Sequence, residues 1–180
     1  MQIFPQPPYG YAFYPYEAVY YPYNYRYYND YNYFANRSNM PQHPMTLQDY
    51  GKEPLVINIE QAAEQNTNYR TTLWTGQHFQ VTLMSIPAGS DIGLEIHPDT
   101  DQFIRVEEGQ GLVQMGDSKE DLDFQSQAYE GYAIMIPAGK WHNLTNNGAK
   151  PLKLYVIYAP PHHPFGTVHP TKAAAMAADS

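Results

Sequence analysis

The chain has 180 residues, contains no cysteine and carries a formal net charge of −8 at pH 7. The length is that of one domain, and the missing thiols exclude disulfides, thiolate metal sites and cysteine nucleophiles. The acidic balance argues against binding nucleic acid by neutralising phosphates, and no apolar run approaches the roughly 20 residues of a membrane helix. We therefore expect neither a nucleic-acid nor a membrane partner.

Residues 1–44 form a low-complexity segment that differs from the rest of the chain. Of the 18 tyrosines, 12 lie between Tyr9 and Tyr33, and residues 1–40 carry no net charge. Interspersed prolines oppose helices and sheet ladders, and alternating polar and aromatic residues are typical of disordered, association-prone tracts. The segment lacks the basic and continuous apolar regions of a signal peptide, so we expect cytoplasmic synthesis. The sequence predicts a disordered tail and linker.

Two interpretations of this tail are open. It is either an inert disordered extension, or an adhesive and cross-linkable segment, because phenols stack, form hydrogen bonds and couple oxidatively.

Short segments of alternating polarity fill residues 45–170 and predict a second, folded unit. Leu55 to Ile59 predicts a strand, and Glu60 to Gln65 predicts one or two helical turns. Further strands are predicted at Phe79 to Ile86, Gln102 to Val106, Gly111 to Met115, Ala133 to Ile136 and Lys153 to Ala159. Many short strands separated by Gly and Pro turns predict an all-β antiparallel sandwich or barrel. The Ala-rich residues 171–180 predict a short helix or a frayed end.

A spaced motif occupies residues 131–146. It consists of Gly131, Pro137, Gly139, His142 and Asn146. With this composition, a chance match at those offsets is on the order of 10⁻⁶ per starting position. The motif resembles the second motif of the cupin superfamily, whose members are small jelly-roll barrels that often hold a metal ion.

A second spaced motif lies upstream and consists of Gly89, Glu95, His97, Gln102 and Gly109. Its spacing resembles the first cupin motif throughout. Two residue types depart from that motif, since Glu95 stands where the family usually has histidine and Gln102 where it usually has glutamate. The resemblance covers roughly residues 75–160.

Simple strand geometry brings the polar residues of both motifs together. Residues i and i+2 of a strand face the same side, so Glu95 and His97 point together. The chain can turn after His97 so that Gln102 points inward, and the turn before His142 directs that side chain to the same interior. One carboxylate, two imidazoles and one amide oxygen suit Mn²⁺, Fe²⁺, Ni²⁺ or Zn²⁺. We predict a metal site of Glu95, His97, Gln102 and His142, and the alternative is a metal-free polar interior.

Residues outside the predicted ligand set lead to further expectations. His162, His163 and His169 follow the last predicted strand in a Pro-rich segment, which is either a surface loop along the barrel or a second metal site. Residues 117–123 predict a solvated hairpin turn. The basic residues near the motifs are Arg105, Lys140 and Lys153. They form no evident phosphate-binding cluster, and Arg105 is expected to face outward.

The resemblance implies candidate functions. It implies a small metalloenzyme similar to the sugar-phosphate-isomerase-like group, acting as an isomerase, lyase or dioxygenase on a carbonyl or hydroxyl substrate. Glu95 could then serve as a ligand and as a base. It also implies a homodimer, with residues 50–60 paired or exchanged between subunits. The tail resembles Tyr-rich spore-coat segments, so the alternative function is that of a spore-coat protein assembled through its tail.

Overall fold

The computed structural model describes residues 44–178, so the predicted disordered tail lies outside the described residues. The elements, in chain order, are α1 (Ile59–Gln65), β1 (Arg70–Thr75), β2 (Gln80–Ile86), β3 (Asp101–Glu108), β4 (Gln110–Gly116), β5 (Phe124–Tyr129), β6 (Ala133–Ile136), β7 (Trp141–Thr145), β8 (Leu152–Ala159), β9 (Val168–His169) and α2 (Lys172–Ala178). Within residues 44–178, no helix is long and apolar enough to cross a membrane.

The strands form two antiparallel sheets that enclose one core. The larger sheet has the order β6-β3-β8-β2-β1-β9, and the smaller has the order β5-β4-β7. Alternating residues of the strands face inward, as the buried even-numbered positions Gln102 to Val106 of β3 illustrate. The core is largely aliphatic and includes Met84, Ile86, Ile104, Val106, Val113, Leu144, Leu152, Leu154 and Val156. This architecture confirms the predicted all-β antiparallel jelly-roll barrel.

A polar row crosses the inner face of the larger sheet near one end. In register, Gln80 lies opposite Tyr158, and Tyr158 lies opposite Gln102. Directly paired residues of an antiparallel ladder share one face, and all three are almost fully buried. This row marks the end of the barrel that carries the candidate site.

Residues 89–97 extend the smaller sheet without forming a regular strand. The N–H of Ile92 donates to the carbonyl of Leu144 at 3.1 Å. The N–H of Glu95 donates to the carbonyl of His142 at 3.0 Å, and the N–H of His142 donates back to Glu95 at 2.9 Å. The irregular segment is therefore fixed along β7, with Glu95 directly beside His142.

The predicted strand from Leu55 to Ile59 is wrong. The chain there is not in a ladder, and helix α1 begins at Ile59. The Asn58 side chain accepts a hydrogen bond from the Gln61 N–H at 3.2 Å, which satisfies an unpaired donor of the first helical turn. The helix cap at Asn58 therefore determines the local structure, in place of the strand that the alternating apolar residues predict. Helix α1 packs outside the larger sheet in a cluster formed by Ala62, Ala63, Leu73 and Leu83.

The other predicted elements agree with the structure. Strands β2, β3, β4, β6 and β8 and helix α1 lie where the alternation placed them, and the 117–123 turn joins β4 to β5. The sequence predicts no bounds for strands β1, β5, β7 and β9; β5 is polar and mostly exposed, so it lacks an alternating signal. The Ala-rich end forms α2, and Ala175 packs into the main core.

Candidate metal centre

Glu95, His97 and His142 converge on one point. Oε1 of Glu95 lies 3.2 Å from Nε2 of His97 and 3.3 Å from Nε2 of His142, and the three potential ligand atoms all lie within 4.8 Å of one another. Adjacent donors around an ion bound at about 2.1 Å are about 3.0 Å apart in an octahedron and about 3.4 Å apart in a tetrahedron. The two short spacings therefore fit a single divalent ion of this size.

The main chain holds the two motifs against each other. Gly139 has a φ of 79°, a conformation that glycine adopts without steric cost. Its N–H donates to the carbonyl of His97 at 2.9 Å, next to the reciprocal pair between Glu95 and His142. The Pro-Ala-Gly turn thus sets the position of His97 on one side and starts β7 toward His142 on the other.

The His142 ring is oriented for metal binding. The side chain is 1% exposed, and its Nδ1 lies 2.9 Å from the carbonyl of Lys140. A carbonyl only accepts, so Nδ1 carries the proton and donates. The opposite atom, Nε2, is buried and lies 3.3 Å from Oε1 of Glu95, to which it has no proton to donate in this tautomer. In metal sites, this outer hydrogen bond typically fixes the histidine tautomer and leaves Nε2 to bind the ion.

The electrostatic surroundings of Glu95 favour its ionised form, which is the form that binds a metal cation. Burial by itself would raise its pKa, but the hydrogen bonds and charges of His142 and His97 outweigh burial and hold the pKa at about 2. Glu95 is therefore a carboxylate across the physiological range. When the His142 imidazole is neutral with its proton on Nδ1, the lone pairs of its Nε2 and of Glu95 Oε1 face each other, and a bound cation resolves that repulsion.

Gln102 lies in the same end of the barrel. It is 4% exposed, and its Oε1 is buried without a hydrogen-bond partner among the described residues. Its register partner Tyr158 has its ring 5.8 Å from the ring of His97. A buried acceptor with no donor is costly, so the amide oxygen suits either an ion or a bound water. Coordination by Gln102 stays a prediction.

The segment after β8 lies against the site, which the expectation of a surface loop did not anticipate. The ring centroid of His162 lies 4.2 Å from that of His97. The backbone of His163 is fixed by Gln80, which accepts from its N–H at 3.0 Å and donates to its carbonyl at 2.8 Å. The local sequence does not indicate that His162 and His163 lie beside the candidate metal ligands, because their position depends on how this segment folds back over β8.

The three downstream histidines do not form a second metal cluster. His163 is buried against the Tyr158 ring, at a centroid distance of 5.0 Å, whereas His169 pairs with Arg70 of β1. In residues 44–178, the one group of three or more His or acidic ligands is Glu95, His97 and His142. Burial, together with the charges of Arg70 and His162, lowers the pKa of His163 to about 3, so this imidazole is neutral at pH 7.

The interior beside the metal ligands is polar. Thr82 Oγ1 and His163 Nε2 are buried without hydrogen-bond partners among the described residues, as is the amide oxygen of Gln102. Thr82 faces inward on β2, one inward position from Gln80 in the polar row. Arg105 faces outward and pairs with Glu107 at 3.2 Å, as expected. The barrel therefore places hydrogen-bonding groups, and not only apolar ones, around the ligand set.

Comparison with known proteins agrees with this geometry. Residues 82–158 match the family model described as a cupin domain. The chain is 59% identical to YrkC of Bacillus subtilis over 143 residues, which are 79% of this chain and 77% of that protein. It is 41% identical over 114 residues to protein L612 of Acanthamoeba polyphaga mimivirus, covering 63% of this chain and 69% of that one. Both relatives are uncharacterised.

A solved structure gives the same result. The crystal structure of BH2720 from Bacillus halodurans superposes with a TM-score of 0.72 and 62% sequence identity, covering 72% of this chain and 98% of that one. The two spaced motifs, the barrel and these matches lead to one conclusion: the chain belongs to the cupin superfamily.

Proposed function

We propose that this protein is a small metalloenzyme that acts on a small carbonyl- or hydroxyl-bearing, sugar-like substrate. The observation that carries the proposal is the convergence of one carboxylate and two imidazoles, beside the buried Gln102 Oε1 that has no hydrogen-bond partner among the described residues. A structural barrel would gain nothing from such an arrangement, because a buried charge and a buried polar atom without a partner both destabilise the fold.

Glu95, His97 and His142 would hold the ion, and Gln102 would either complete the set or bind a water. One negative charge from Glu95 leaves the loaded site with a net positive charge, which favours an oxygen-bearing substrate. When bound, a divalent ion of this kind supplies Lewis-acid polarisation of a carbonyl or hydroxyl oxygen. Mn²⁺, Fe²⁺, Ni²⁺ and Zn²⁺ all suit a donor set of carboxylate, imidazole and amide.

The remaining interior groups would orient the substrate. The Thr82 hydroxyl can donate and accept, and the Gln102 oxygen can accept from a substrate hydroxyl. His163 is neutral and fixed by its backbone, so its Nε2 is a stable partner for another substrate hydroxyl. The second oxygen of Glu95 is the candidate base for a proton next to a substrate carbonyl.

The experiment is a substrate screen of the metal-loaded full chain against aldoses, ketoses and small hydroxy acids. A true turnover should be abolished by Glu95→Gln and His142→Ala and unchanged by His78→Ala, which alters an exposed histidine that is not a predicted ligand. A turnover that survives Glu95→Gln and His142→Ala would place the chemistry elsewhere. Failure of every substrate with a correctly loaded site would favour a binding role.

The alternative is a spore-coat protein that uses its tail for assembly. Its support is compositional, since 12 tyrosines lie between Tyr9 and Tyr33 in a neutral segment, and phenols can be joined by oxidation. The barrel would then be a rigid or ligand-binding unit. A homodimer is part of either proposal. Its support is a partly exposed apolar row on the outer face of the larger sheet, where the half-buried Phe103 lies opposite both the exposed Met135 and the half-buried Ile157.

A further inference from the structure

A second cavity lies on the outer face of the larger sheet. Its volume is about 330 Å³, and Ser85, Lys153 and Lys172 contribute to its lining. Ser85 and Lys153 are register partners on β2 and β8. Each lies five residues along its strand from the polar row at Gln80 and Tyr158, a separation of about 17 Å at the strand rise. The cavity is therefore at the opposite end of the barrel from the metal centre.

Lys153 places a buried ammonium in this cavity. The residue is 8% exposed, and its Nζ donates to the main-chain carbonyl of Asn66. An ammonium has three donors, and among the described residues no carboxylate lies within ion-pair distance of this one. Burial lowers the pKa of Lys153 and outweighs the more distant charges of Glu108 and Glu64. The charge is thus only partly compensated by the protein.

The lining of the cavity also includes a second cation and several hydroxyl-bearing residues. Nζ of Lys172 lies 2.5 Å from Oδ1 of Asp91, and the lysine side chain remains 33% exposed. Ser85, Ser90 and Thr171 also line the cavity. Ammonium and hydroxyl donors around one cavity can satisfy an oxyanion, whose oxygens accept hydrogen bonds from several directions.

We propose that this cavity binds a phosphate group between Lys153 and Lys172, with the Ser85 hydroxyl as a further donor. A bound phosphate would neutralise the buried Lys153 ammonium, and this attraction favours binding. The volume is larger than one phosphate ion needs, so the cavity also admits a small phosphorylated molecule. The site does not depend on the metal centre or on the function proposed for it.

The test is titration of the full chain with inorganic phosphate at pH 7 and low ionic strength, followed by calorimetry or equilibrium dialysis. Lys153→Met should raise the Kd at least about ten-fold, because a charge-assisted contact is lost. Lys172→Met should raise it by a smaller factor. The matched control is Lys150→Met, which removes the same charge from an exposed position that does not line this cavity.

His142→Ala separates this site from the metal centre, and phosphate binding should persist in that variant. Three results would each overturn the proposal: no binding by the unmodified chain at about 10 mM phosphate, a Kd in both lysine variants equal to that of the unmodified chain, or loss of binding in His142→Ala. If Lys153→Met does not fold, the Kd of Lys172→Met tests the proposal by itself, because the Lys172 side chain is partly exposed and lines the cavity.

Discussion

The orientation of one imidazole determines what the site can bind. The Lys140 carbonyl holds the Nδ1 proton of His142, so the buried Nε2 faces Glu95 Oε1 at 3.3 Å. A proton on Nε2 of either imidazole would have to leave when an ion binds. Metal and protons therefore compete for the two imidazoles.

Metal affinity should fall as the pH is lowered, because imidazole ligands bind only in the neutral form. We expect Kd to increase as the pH falls from neutral to mildly acidic, with proton release on binding. Glu95 contributes nothing to this dependence, because its pKa of about 2 lies well below the range. Calorimetry in two buffers of different ionisation enthalpy measures the protons released. An affinity that does not change with pH would contradict histidine ligation.

A second residue-scale prediction concerns His162. Its ring covers that of His97 at 4.2 Å and is itself exposed, so it shields the ligand from solvent. His162→Ala should increase the rate at which a chelator removes the metal several-fold, with a smaller effect on equilibrium affinity. Stopped-flow release into a coloured chelator measures this rate, with His78→Ala as the control. Equal release rates in the two variants would show that the ring does not protect the site.

At the scale of elements, turns and caps decide where the ligands lie. The glycine at residue 139 and the irregular segment 89–97 fix His97 and Glu95, whereas regular strands supply Gln102 and His142. Half of the predicted ligand set thus depends on turns, and the spacing of glycine and proline in the two motifs encodes those turns. The motifs predicted the convergence well because spacing encodes these turns.

Other elements were not predictable from local pattern. The segment after β8 showed only a Pro-rich, extended character, and its position against His97 depends on the bonds between His163 and Gln80, 83 residues apart. Lys172, likewise, lines the cavity that contains Lys153 only because α2 folds back beside Asp91. Contacts between residues that are far apart in sequence leave no periodic signal, so sites that depend on these contacts can be located only in the structure.

Helix α1 offers a test of the capping argument. Asn58→Ala removes the acceptor of the Gln61 N–H and should lower the free energy of unfolding by about 1 kcal/mol. Asn58→Ser restores an acceptor and should recover most of the loss. Urea denaturation compares the three proteins. Identical midpoints for the unmodified chain and Asn58→Ala would mean that apolar packing alone positions the helix.

For the whole molecule, the chain is best treated as two parts with separate tasks. The described residues carry the barrel and both candidate sites, whereas the Tyr-rich segment carries the composition on which the coat proposal depends. The division into a tail at residues 1–44, a barrel at residues 45–170 and an Ala-rich end at residues 171–180 stays a prediction.

Deletion of residues 1–40 tests that division. We expect the shortened protein to keep the metal content and melting temperature of the full chain, because the core of the barrel lies within the described residues. If the coat proposal is correct, the same deletion should release the protein from an insoluble assembly, which sedimentation of cell or spore extracts measures. A shortened protein that still assembles would sink the coat proposal.

The most direct test of the central claim is elemental analysis of the full chain purified without chelators. We predict close to one divalent transition metal per chain, lost in His97→Ala and in His142→Ala and kept in His78→Ala. Less than about 0.2 metal per chain after incubation with Mn²⁺, Fe²⁺, Ni²⁺ or Zn²⁺, or a content that the two ligand variants do not change, would contradict a metal centre at Glu95, His97 and His142.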